Sequence, residues 1–119
     1  MADIRMGPAE TQFAEIIWAS EPIASGVLSK KAEAVLNWKK TTSFTVLKRL
    51  CERGIFQNQN GIVTSLISRE EFFARHSEQY VQETFGGSLP AFMAAFGTRK
   101  KLTDSEIDEM KKLIERMRG

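Results

Sequence analysis

The periodicity of the chain changes abruptly at Gly54, and this change constrains the fold more than any other feature. Ahead of it, apolar residues recur at helical spacing in three successive stretches. After it comes IFQNQNGIVTSLIS, two short runs with β-branched and aromatic residues separated by NQNG. Asn60-Gly61 accepts the positive φ of a tight turn, so these runs predict a small two-stranded hairpin. A first helix is predicted at about 9–19 on Phe13, Ile16 and Ile17, ending near Ser20-Glu21-Pro22. Ile23 makes a short extended link to a second helix, which runs from Ala24 to about Leu36 and carries Val27, Leu28 and Val35. In the third, Thr41, Thr42 and Ser43 offer hydroxyls to cap the first N–H groups. Phe44, Leu47 and Cys51 share a face with Leu50 beside it, Cys51 on the buried side and Phe44 at an outward or semi-buried site, and Gly54 ends the helix.

Three helices followed by a hairpin is the order of a winged helix. In that arrangement the first two helices hold the third, whose outer face is presented to the major groove of DNA. Charge falls in the same place. Residues 38–68 hold five Lys/Arg against one acidic residue, whereas residues 1–37 hold three against five and residues 69–119 hold nine of each. A basic focus on the third helix points to a polyanion partner.

The rest of the chain, residues 68–119, is helical again. Ser68 caps REEFFARHSEQYVQETF, Gly86-Gly87 breaks it, LPAFMAAF follows, and Thr103-Asp104-Ser105-Glu106 opens a last helix. Phe72, Phe73, Tyr80, Val81, Phe85, Leu89, Phe92, Met93, Phe96 and Leu102 are too many large apolar groups for such an appendage to leave in water. They either fold back on the N-terminal domain or meet a second copy of the chain, which is the simplest cover, and a two-fold pair of winged helices matches a palindromic site. The expected fold class is thus mainly α. A winged helix-turn-helix DNA-binding domain at 1–67 is followed by a helical dimerisation arm at 68–119, in which Phe72, Tyr80, Phe85, Leu89, Phe92, Met93, Phe96, Ile107, Met110 and Ile114 form the contact.

Other functions find little support. One cysteine, Cys51, cannot form an internal disulfide or a thiolate zinc site, and one histidine, His76, leaves a catalytic triad or metal centre a single starting point. No enzyme constellation, cofactor or metal is expected. No stretch approaches the ~18 apolar residues that span a bilayer, and the first residues lack a secretory pattern, so membrane insertion is not expected and a cytoplasmic location is. Trp18 and Trp38 are expected in the winged-helix core, because large aromatics fix helix packing more often than they stack on bases.

In order and residues the chain resembles the penicillinase repressor family. Glu10, Ile17, Trp18 and Pro22-Ile23 sit where that family has its Glu, Ile-Trp and Pro-hydrophobic pair. Trp38, Thr42, Thr45, Leu47, Arg49, Leu50 and Gly54 fit its W-x3-T-x2-T-x-L-x-R-L-x3-G core. LISREEF resembles the start of its dimerisation arm, Phe85-Gly86-Gly87-Ser88 its FGGS motif, and LTDSEIDEMKKLI its final helix. The resemblance implies a dimeric winged-helix repressor of a palindromic promoter operator. In the β-lactam branch, a membrane sensor triggers proteolysis in the arm and lowers DNA affinity. The family's Asn-Phe cleavage bond aligns with Ala95-Phe96, where Ala replaces Asn. The paired C-terminal cysteines of the copper-responsive branch are absent. The wing is shorter than usual, with Ile62 in place of the Arg that follows the family's glycine.

On the third helix, Thr41, Thr42 and Thr45 fall away from Leu47 and Leu50. Their hydroxyls and methyls suit thymine and, near the N-terminus, phosphate. Lys39, Lys40, Lys48, Arg49 and Arg53 are the phosphate candidates, and Ser43 completes the set of DNA-binding residues. Two other functions fit the same fold: a winged helix that senses a small ligand through an apolar pocket at the dimer interface, and one used only as a protein-interaction module.

Overall fold

The computed structural model describes residues 3–119. Their elements run α1 (Pro8–Ser20), β1 (Ile23–Ala24), α2 (Ser25–Leu36), α3 (Lys40–Glu52), β2 (Phe56–Gln59), β3 (Ile62–Ser65), α4 (Arg69–Phe85), α5 (Leu89–Gly97) and α6 (Asp104–Arg116). They divide into two compact units, one ending at Ser77 and the other beginning at Glu78.

The first unit is a winged helix. Its helix boundaries follow from local chemistry. Pro8 opens α1, where its missing N–H costs nothing, and Glu10 reaches back to the Gly7 N–H. Asn37 takes the left-handed conformation that ends α2, and a three-residue turn leads into α3. At the far end of α3, Gly54 has φ 81°; the Ile55 N–H donates to the Leu50 carbonyl at 3.1 Å and the Gly54 N–H to the Cys51 carbonyl at 3.0 Å. Asn60 and Gly61, both at positive φ, join β2 to β3 in a two-residue turn, with Gln59 opposite Ile62. The hairpin gains a third strand. Ile23, expected as an extended link, pairs with Val63, giving an antiparallel sheet of order β1-β3-β2.

Phe13 and Ile17 of α1, Leu28 of α2, Leu50 of α3, and Ile55, Phe56 and Val63 of the wing bury their side chains together. Burial of this kind contributes about 1.5–3 kcal/mol for each large apolar side chain. Two expectations are corrected here. The core face of α3 is Ser43, Val46, Leu47 and Leu50, whereas Phe44 and Cys51 lie round the helix from it and are half-buried. Phe72, expected at a dimer contact, is only 2% exposed within this unit, where its ring packs 5.3 Å from that of Trp18. Trp18 and Trp38 are half-buried against the core, Trp38 stacking on Phe13 at 5.1 Å. The compact unit therefore extends past residue 67, because the first turns of α4, capped by Ser68, carry Phe72 and Phe73 onto Trp18.

The second unit comprises the remainder of α4 with α5 and α6. Ser88 caps α5 by accepting from the Ala91 N–H at 3.1 Å. Thr103 and Glu106 cap α6 reciprocally, at 3.1 and 3.0 Å. Tyr80, Phe85 and Phe92 meet edge to face at 5.6–6.2 Å, and Phe96 lies 6.2 Å from Phe92. No side chain of this unit is fully buried among the described residues; Ile114 is 59% and Met117 63% exposed. No helix among the described residues is long and apolar enough to cross a membrane.

Candidate nucleic-acid interface

The surface of α3 opposite its core face is defined by helical spacing. With Ser43, Val46, Leu47 and Leu50 turned inward, Thr41, Thr45 and Lys48 line up outward at i, i+4 and i+7, and all three are exposed. Thr42 and Arg49 flank this strip on one side and Lys40 on the other; Lys39 immediately precedes it, and all four are exposed. Among the described residues Lys39, Lys48 and Arg49 have no acidic side chain within salt-bridge distance, and the Lys40 ammonium lies over the Phe44 ring, 5.9 Å from its centroid. Glu52, missed in the sequence reading, continues the outward strip as its one acidic member. Its i+4 spacing from Lys48 was the available signal.

The N-terminus of α3 is open. Its N-cap is Lys39, which makes no side-chain cap, so the hydroxyls expected to cap the helix do not do so. They lie two to four residues past the N-cap, inside the first turn. Among the described residues no side chain accepts from the leading N–H groups, an arrangement that favours an anion. The three threonines differ in what they offer. Thr45 donates its hydroxyl proton to the Thr41 carbonyl at 2.8 Å and presents a methyl and an acceptor, whereas Thr41 and Thr42 keep hydroxyls that make no hydrogen bond to a described residue.

Two residues assigned to the interface from sequence stand apart from it. Ser43 is 2% exposed and faces the core, and its hydroxyl has no hydrogen-bond partner among the described residues. Arg53 is turned back on the chain; its Nη1 donates to the Arg5 carbonyl at 2.6 Å and lies 3.4 Å from Glu10 Oε2. The remaining residues, Lys39, Lys40, Thr41, Thr42, Thr45, Lys48 and Arg49, share the exposed side of one helix and its approach.

The wing tip is neutral. Asn58 spends its carbonyl on the Gly61 N–H, Gln57 donates to Thr64, and Gln59, Asn60 and Ile62 are exposed. Elsewhere, Cys51 is half-buried and burial pushes its thiol pKa up, with Glu52 adding to the shift, which suppresses thiolate chemistry. His76 is exposed and stacks on Phe72 at 5.9 Å. Among the described residues no group of three His, Cys, Asp or Glu side chains gathers as metal ligands would.

In the second unit, Tyr80, Leu89, Phe96 and Ile114 are exposed, while Phe85, Phe92, Met93, Ile107 and Met110 are half-buried. The Ala95-Phe96 bond lies within α5.

Comparison with known proteins agrees with this geometry. Residues 6–116 match the family model described as penicillinase repressor. No curated protein matches the chain. A winged helix whose third helix carries an open N-terminus and an exposed basic face is the apparatus of a DNA-binding regulator, and the match covers almost its entire length: the chain belongs to the penicillinase repressor family of DNA-binding transcriptional repressors.

Proposed function

We propose that the chain works as a homodimer that represses transcription by placing α3 of each copy in the major groove of a palindromic operator. The observation that carries this reading is the strip Thr41, Thr45 and Lys48 at the open end of α3, flanked by Lys39, Lys40, Thr42 and Arg49. The threonines supply groups that read base edges and the cations supply phosphate contacts. Dimerisation through residues 68–119 is supported by the apolar surface that the second unit leaves uncovered in a single chain. Tyr80, Leu89, Phe96, Leu113, Ile114 and Met117 are each more than two-fifths exposed. Residues 1–67, with the first turns of α4 packed on them, then serve as the DNA-reading part and the rest of 68–119 as the arm.

Release follows the family pattern in this proposal. Proteolysis at Ala95-Phe96, set off by a membrane sensor, separates α6 from the rest of the arm and weakens the dimer's hold on DNA. The bond sits inside α5, so a protease must locally unwind that short helix to reach it. A second reading, direct sensing of a small apolar ligand, is favoured by one feature: an open recess of about 360 Å³ lined by Leu89, Ile114, Met117 and Arg118.

The test is selection of a binding site by the purified protein from a pool of random duplexes, with the mass of the bound species measured. Enrichment of an inverted repeat bound by two chains supports the proposal. Recovery of no common sequence, from protein shown to be folded, sinks it.

A further inference from the structure

The segment preceding α1 is tied into the first unit. Ile4 is buried in the core and Met6 packs against it, so residues 3–7 lie as a strap along the unit. The polar groups of this strap converge on Arg53, the C-cap of α3. The Asp3 N–H donates to the Arg53 carbonyl at 3.0 Å, and Arg53 Nη1 donates to the Arg5 carbonyl at 2.6 Å. The same Nη1 is 3.4 Å from Glu10 Oε2 in the first turn of α1. Because the end of α3 is closed by the N–H groups of Gly54 and Ile55 on Cys51 and Leu50, the Arg53 carbonyl is left for the strap.

This arrangement argues against Arg53 reaching a phosphate. The Arg53 and Glu10 side chains are only 28% and 21% exposed, and swinging the guanidinium outward would take the cation from the half-buried Glu10 Oε2 and give up the hydrogen bond to the Arg5 carbonyl. Among the described residues it is also the one salt bridge that links α1 to the end of α3.

We infer that Arg53 is a positioning residue. Together with Glu10 and the strap, it fixes the C-terminal end of α3, and so the angle at which Thr41, Thr45 and Lys48 meet the duplex, without touching DNA. The inference rests on α3 being the DNA-reading helix proposed above. Its physical basis is preorganisation: a recognition element held in its bound orientation loses less freedom on binding.

The experiment measures binding of the duplex selected by the wild-type protein, over a range of salt, for Arg53→Met, Arg53→Lys and Glu10→Gln. Glu15→Gln, which removes a different carboxylate from α1, is the charge control, and thermal unfolding of each variant is recorded alongside. Arg53→Met and Glu10→Gln should each weaken binding by roughly three- to tenfold, the span of one net hydrogen-bond contribution, with the slope of log affinity against log salt unchanged. Should Arg53→Met fail to fold, Arg53→Lys, which keeps the charge but not the planar fork, should still weaken binding at constant slope. A slope reduced by about 0.9 for each copy bound in Arg53→Met would make Arg53 a phosphate contact and overturn the inference. So would a Glu10→Gln protein that binds as tightly as Glu15→Gln or more so, or variants that lose thermal stability with undiminished affinity. A wild-type protein that selects no duplex overturns the DNA reading itself, which separates that failure from this one.

Discussion

The indole N–H of Trp18 donates to the carbonyl of Ile67 at 3.0 Å, tying the last turn of α1 to the chain as it leaves the wing. The same ring packs against Phe56 and Phe72 at 5.4 and 5.3 Å, so one side chain joins helix, sheet and the start of α4. Trp18→Phe keeps most of this aromatic packing and loses the hydrogen bond. It should lower the unfolding free energy by about 1 kcal/mol, and Trp18→Ala by about 3 kcal/mol. Urea unfolding checks both, as a lower midpoint at unchanged slope. Equal losses for the two variants would mean that packing contributes nothing beyond the hydrogen bond.

Ser43 places on the core face of α3 a buried hydroxyl that has no partner among the described residues. Removing an unsatisfied buried polar group relieves its desolvation penalty, and alanine is also the better helix former. Ser43→Ala should therefore raise stability by about 0.5–1.5 kcal/mol and leave DNA affinity unchanged. Calorimetry and a binding titration on the same preparation decide it. Reduced affinity at undiminished stability would return Ser43 to the interface.

Thr103 holds α6 at its start, and the Glu106 carboxyl is kept below the usual glutamate range by the Thr103 backbone N–H and hydroxyl. Because the folded-state pKa is depressed, the stabilisation from this carboxylate is present above the unfolded value. It is lost as pH falls through the folded one. Thr103→Ala should fray α6 at neutral pH, read as lower helicity by circular dichroism. The difference from wild type should shrink on acidification below the ordinary glutamate range. A difference that stays constant with pH would mean that the ionised carboxylate is not part of the cap.

Much of the fold is legible in the sequence where one residue type answers a backbone demand. Asn60-Gly61 and Gly54 take the positive φ that their turns need, and Thr103 with Glu106 forms the cap that its spacing announces. Elements set by distant contacts are harder to read. KKTTS offers several capping hydroxyls in a row, yet α3 starts at Lys40, just after Trp38, which stacks on Phe13 of another helix. Phe72 has the spacing of any apolar arm residue, and periodicity cannot say whether its cover is its own core or a second chain. Arg53 belongs by charge to the basic cluster, but the groups that engage it lie 43 and 48 residues away along the chain. The exposed strip of Thr41, Thr45 and Lys48 was readable because only the inward register of Leu47 and Leu50 was needed to place it.

If the outward face of α3 meets DNA, its cations must set the salt dependence of binding. Affinity for the selected duplex should be measured between about 50 and 200 mM salt for the wild type and for Lys48→Ala/Arg49→Ala. Both side chains are exposed and neither lies in the core, so the variant should unfold at the wild-type temperature. The double variant should lose affinity and show a log–log slope shallower by about 0.9 for each phosphate contact removed. Wild-type affinity and slope in the double variant would contradict it, and would place the DNA contact somewhere other than α3.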